Sequence, residues 1–144
     1  MLNEIQPMMS SVDNDCFNPA TESVPIVAII DDDTAVGEAI QMLIESYGWR
    51  APTYDSAEIF LESLRQARPS CLVLDLLMPG MNGVELQRAL AVRRISIPVV
   101  VVTVYSNHPL AAAAKQAGAQ AVLAKPFDER ELLDNIKRAI VQAG

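Results

Sequence analysis

Between residues 24 and 144, short apolar runs alternate with segments of helical spacing five times, and nothing else in the sequence narrows the fold as far. "IVAII" (26–30) is β-branched and apolar throughout and stops abruptly at three Asp residues, as a buried parallel strand would. Ala35, Val36, Ala39, Ile40, Leu43, Ile44 and Tyr47 then recur at helical intervals before Gly48, a C-terminal stop. "RAPTY" (50–54) predicts a weak strand whose proline suits a sheet edge. Asp55 with Glu58 predicts a capping box opening a helix to about Arg65. Cys71–Leu76 predicts the third strand and Gly83–Val92 a helix with Val84, Leu86 and Leu90 inward. "PVVVVT" (98–103) predicts a fully buried strand, Leu110–Ala117 an Ala-rich helix stopped by Gly118, and "AVLA" (121–124) the fifth strand. Asp128 and Glu131 cap a last helix with Leu132, Leu133, Ile136, Ala139 and Ile140 on its apolar face. Five strands alternating with five helices imply an α/β protein with a doubly wound parallel sheet, flavodoxin-like, in strand order 2-1-3-4-5.

In such a sheet the ligand crevice lies outside the carboxyl ends of the strands, at the topological switch point. Polar residues stand there on four strands: Asp31–Asp33 after the first, Asp75 in the third, Thr103 at the fourth and Lys125 at the fifth. A lone carboxylate in an apolar strand costs free energy unless it is paired, so Asp75 points to a shared site. Several acids converging on one place call for a cation. Hard oxygen donors with no His or Cys among them suit Mg²⁺ and disfavour zinc. Mg²⁺, an ammonium and a hydroxyl around a carboxylate make a phosphoryl-transfer site, the carboxylate being the nucleophile and an aspartyl phosphate the product. No Gly-rich phosphate loop is present, which argues against a nucleoside triphosphate as donor. Asp33 or Thr34 is expected to cap the following helix, leaving Asp31 and Asp32 to the site. His108 reads as a surface loop residue, and "AAAA" (111–114) as tight helix packing.

The chain has 144 residues, enough for one domain with its own core. Its net charge of −7 argues against direct contact with nucleic acid. Residues 1–23 carry Glu4, Asp13, Asp15 and Glu22 with no Lys or Arg and no hydrophobic periodicity, so a flexible acidic N-terminal tail is expected before a domain over 24–144. Apolar runs are too short to span a bilayer and no signal-peptide pattern opens the chain, which leads to a cytoplasmic reading with no membrane partner. Cys16 and Cys71 suggest neither a disulfide framework nor a metal site.

Residues 24–144 resemble the receiver domain of two-component response regulators. The resemblance rests on "IIDDD", "LVLDLLMPGMNG", "PVVVVT" and "AKPF", in order and separated by 43 residues from Asp32 to Asp75, 28 to Thr103 and 22 to Lys125. It implies that Asp75 is the phosphoacceptor, attacking a phosphohistidine on a sensor histidine kinase or a histidine phosphotransfer protein. It implies that Asp32, Asp75 and the backbone carbonyl of Leu77 ligate Mg²⁺, with Asp31 acting through water. Lys125 would pair with Asp75 before transfer and with the phosphoryl oxygens after it, Lys125–Pro126 would be cis, and Thr103 would bond the phosphoryl group and move toward it. The chain stops at the end of the last helix, so output is expected through a downstream protein target, as a single-domain regulator and not an enzyme beyond its own phosphorylation and slow dephosphorylation. The family's usual dimer face, the last two helices and fifth strand, leaves a homodimer open.

Four positions depart from the family pattern. Val104 stands where a small residue usually guards the phosphoryl site, and its branched side chain is expected to narrow the entrance. Val122 replaces an aromatic whose ring follows the threonine, and with Val104 it favours the alternative of a pseudo-receiver, an interaction module not regulated by phosphorylation. Leu77 and Tyr105 flank the path of a hydrolytic water and offer little to orient it, so slow self-hydrolysis is expected. Leu77 also occupies the place where an aspartyl-phosphate phosphohydrolase would carry its second Asp, which ranks that reading last.

Overall fold

The computed structural model describes residues 24–143. The expected N-terminal tail and Cys16 lie outside them. The elements run β1 (Val27–Ile30), α1 (Thr34–Glu45), β2 (Thr53–Tyr54), α2 (Ala57–Ser63), β3 (Cys71–Leu74), α3 (Gly83–Val92), β4 (Val99–Thr103), α4 (Pro109–Gln116), β5 (Ala121–Ala124) and α5 (Glu129–Ala143). All strand pairs are parallel and the sheet order is β2-β1-β3-β4-β5, as expected from the alternation.

Strand parity divides the core. Ala28, Ile30, Leu72, Leu74, Val99 and Val101 point to one face, where Phe60 and Leu61 of α2, Val84, Leu86 and Leu90 of α3 and the alanines of α4 cover them. Val27, Ile29, Cys71, Val73, Val100 and Val102 point to the other, under Ile40 and Ile44 of α1 and Leu132, Ile136 and Ala139 of α5. Because both faces are covered, β1, β3 and β4 read as unbroken apolar runs. Each fully buried Leu, Ile or Phe adds about 1.5–3 kcal/mol. Burial pushes the Cys71 thiol up to about 12, making it an inert core group.

Four local readings differ from the sequence expectation. β3 ends at Leu74, so Asp75 follows the strand instead of lying within it. Its carboxylate accepts the Leu76 N–H at 2.9 Å, and Leu76 O accepts the Gly83 N–H at 2.9 Å, which turns the chain out of the ladder. β2 shrinks to two residues at the sheet edge, where Pro52 has no N–H to give but its carbonyl still accepts from Ile29 at 2.9 Å. α2 is capped by Ser56, whose hydroxyl accepts the Ile59 N–H at 3.1 Å; no Asp55–Glu58 box forms, because Glu58 is one position short of the reciprocal place. His108 caps α4, its Nδ1 accepting the Leu110 N–H at 3.0 Å. Asp33 caps α1 and Asp128 caps α5, as expected.

Candidate functional site

The switch point falls between β1 and β3, since the chain leaves β1 for one edge and returns to its other side. Asp31 and Asp32 follow β1, Asp75 follows β3, Thr103 ends β4 and Lys125 follows β5. Backbone bonds fix this end of the sheet: Asp75 N donates to Ile30 O at 3.0 Å and Lys125 N to Thr103 O at 2.9 Å. Parallel register thus carries residues 94 positions apart in sequence into one crevice.

Asp31 is buried and uses both oxygens. Oδ1 accepts the Asp33 N–H at 2.8 Å, and Oδ2 accepts from Lys125 Nζ at 2.7 Å. Lys125 Nζ also lies 3.9 Å from Asp75 Oδ2, so the ammonium spans the two acids but sits closer to Asp31 than to its expected partner. The reason is desolvation: the Asp31 side chain is 4% exposed against 11% for Asp75, and the more buried carboxylate has the greater need of a counter-charge. Asp32 is exposed at the mouth. Burial pushes the Asp75 carboxyl up to about 6; Asp31 and Asp32 add to the rise, while Lys125 and the Leu76 N–H oppose it.

Asp31, Asp32 and Asp75 each offer a carboxylate oxygen, and these oxygens lie within 4.8 Å of one another. Lys125 alone leaves this triad with a surplus of negative charge. The all-oxygen set fits Mg²⁺, a hard cation bound through one or two carboxylates with several waters retained. Leu77, half-buried, lies two residues past Asp75 in the loop to α3.

Thr103 is fully buried, and its Oγ1 accepts the Tyr105 N–H at 3.1 Å. Val104 and Tyr105 follow it at the surface, 59% and 50% exposed, with the Tyr105 ring edge-on to His108 at 6.4 Å. Val122 is half-buried against the core beneath α2–α4. Lys125–Pro126 is cis, as the resemblance implies. One contact was illegible in the sequence: Glu58 of α2 accepts the Met81 N–H at 3.0 Å, from 23 residues away. No spacing rule signals such a bond, and the local reading assigned Glu58 to a cap.

An acidic crevice at the switch point of a doubly wound sheet, with one lysine across two carboxylates, has the donor set that suits a divalent cation beside an anionic group. The chain belongs to the response regulator receiver domain family, whose pattern it matches over residues 27–137. It is 39% identical over 115 residues to the response regulator protein TmoT of Ectopseudomonas mendocina, covering 80% of this chain and 52% of that protein. It is 34% identical over 117 residues to the transcriptional regulatory protein FixJ of Bradyrhizobium diazoefficiens, covering 81% and 57%. The chain therefore spans about half the length of the curated relatives it matches. Among solved structures, FixJ-N aligns with a TM-score of 0.76 at 36% identity, covering 81% of this chain and 94% of that one. The response regulator StyR aligns at 0.75 and 40%, covering 84% and 61%.

Proposed function

We propose that this receiver domain is operated by phosphorylation of Asp75, with a sensor histidine kinase or histidine phosphotransfer protein as donor and protein–protein contacts as output. The observation that supports this reading is the placement of three carboxylates within 4.8 Å of one another, with Lys125 bridging Asp31 and Asp75. The Asp75 carboxylate attacks phosphorus; the O–P bond forms as the P–N bond to the donor imidazole breaks, and the imidazole nitrogen keeps the electron pair. Asp32, Asp75 and the Leu77 carbonyl would hold Mg²⁺, which when bound offsets the charge of the carboxylates and the incoming phosphoryl group. Asp31, with both oxygens engaged, acts on that shell through water and orients Lys125. Lys125 exchanges its contact with Asp75 for the new phosphoryl oxygens, and the Thr103 hydroxyl donates its proton to them. Thr103 is bonded to the Tyr105 N–H, so its movement pulls on the exposed Val104–Tyr105 segment, where a partner can read it.

In this reading the domain is not an enzyme beyond assisting its own phosphorylation and slow dephosphorylation. Among the described residues no helix is long and apolar enough to cross a membrane, and a cytoplasmic location is part of the proposal.

The test is intact-protein mass after incubation with acetyl phosphate and Mg²⁺, for wild type and Asp75→Asn. One phosphoryl group added to wild type alone is the expected result. No addition, together with no shift of amide resonances under beryllofluoride, would overturn the proposal in favour of a pseudo-receiver, the reading to which Val104 and the ringless Val122 belong.

A further inference from the structure

The loop from Asp75 to Asn82 carries Leu77 and is secured at its two ends. At its start the Leu76 N–H donates to the Asp75 carboxylate; at its finish Asn82 and Glu85 form a capping box on α3, with bonds of 2.8 and 2.9 Å. Leu76 O accepts the Gly83 N–H of α3 at 2.9 Å, and on the far side of Leu77 the Met81 N–H donates to Glu58 Oε2 at 3.0 Å, a bond that ties the loop to α2, outside the β3–α3 connection itself.

The local chain is arranged around that bond. Ser56 takes over the capping of α2, which frees the Glu58 side chain to reach across. Gly80 sits at φ +76°, and a Cβ there would lie 2.8 Å from Glu58 Oε2. Glycine at this position thus permits both the left-handed turn and the approach of the carboxylate. The recess around the bond is lined by Leu61, Leu64, Glu62, Arg65 and Arg93, an apolar flank with charges of both signs beside it.

We infer that Glu58 is a positioning residue for the phosphorylation site: it holds the Gly80–Met81 turn and, through it, the backbone that presents the Leu77 carbonyl beside Asp75. This inference rests on the proposed reading of the site. Groups that orient ligands from outside the coordination shell commonly change metal affinity by tenfold or more. Glu58 is solvent-exposed and acts through several backbone bonds, so a smaller effect, roughly three- to tenfold, is expected.

The experiment uses the whole chain, stripped of metal, and compares wild type, Glu58→Ala and Glu58→Gln. Calorimetric titration with Mg²⁺ gives Kd, amide hydrogen exchange by NMR gives the protection of the Met81 N–H, and thermal melting gives stability. Glu58→Ala should bind Mg²⁺ about three- to tenfold more weakly and expose the Met81 amide to faster exchange. Glu58→Gln keeps an acceptor oxygen and should restore most of both. Wild-type Kd in Glu58→Ala would overturn the inference while leaving the site intact, whether or not the melting point falls. Unchanged Met81 exchange in Glu58→Ala would overturn it independently of any metal. Failure of wild type to bind Mg²⁺ would instead overturn the reading of the site, and this inference with it.

Discussion

Neutralising Asp75 should stabilise the metal-free protein, and the gain should depend on pH in a set direction. The folded state holds the Asp75 carboxyl at about 6 against 3.8 for the free group, because burial and two neighbouring acids outweigh Lys125. A raised carboxyl pKa means that the folded state binds the proton more tightly than the unfolded chain. Stability is therefore lost as pH rises from about 4 to about 6, and the full penalty is present above that window. At about 1.4 kcal/mol per pKa unit, the ceiling is ~3 kcal/mol at pH 7.5, falling to ~1 kcal/mol at pH 4.5. The side chain is 11% exposed, so solvent screens part of this and the expected gain is about 1–3 kcal/mol at pH 7.5. Asn retains an oxygen for the Leu76 N–H, which isolates the effect of charge. Urea denaturation in EDTA, followed by the fluorescence of the single tryptophan, Trp49, half-buried against the α1–α5 side of the core, gives both stabilities. Saturating Mg²⁺, at a hundred times its Kd, should then add about 2.7 kcal/mol to wild type and far less to Asp75→Asn. Equal stabilities at pH 7.5 without metal, or an advantage that grows as pH falls, would refute the electrostatic reasoning.

Two further outcomes are expected. The aspartyl phosphate should hydrolyse slowly, over minutes or longer, since Leu77 and the half-exposed Tyr105 give an attacking water little to orient it; loss of label from purified phosphoprotein within seconds in Mg²⁺ buffer would sink this. Gly83→Ala should lower stability by about 1–3 kcal/mol, because the new Cβ would meet Asp75 O at 2.7 Å and Leu76 at 3.1 Å, and a thermal midpoint equal to wild type would show that α3 can shift without cost.

The sheet order and the membership of the acidic crevice are written in local patterns. Runs such as "IVAII" and "PVVVVT" carry their own strand character, the helical segments theirs, and crossover handedness leaves one common way to assemble five of each. Once the strands are parallel, residues at their carboxyl ends come together, which is how Asp31, Asp32, Asp75 and Lys125 reach one crevice, with Thr103 at the end of β4. What the pattern could not settle is which of several available partners each polar group takes. Lys125 could face either Asp31 or Asp75, and the difference in their burial, a property of the packed core, decides for Asp31. Glu58 matched a local capping rule, yet Ser56 takes the cap and Glu58 bonds to a loop 23 residues on. Local rules work where the competing partners are a turn apart in the chain. They fail where the better partner is brought near only by the docking of α2 beside the loop that follows β3.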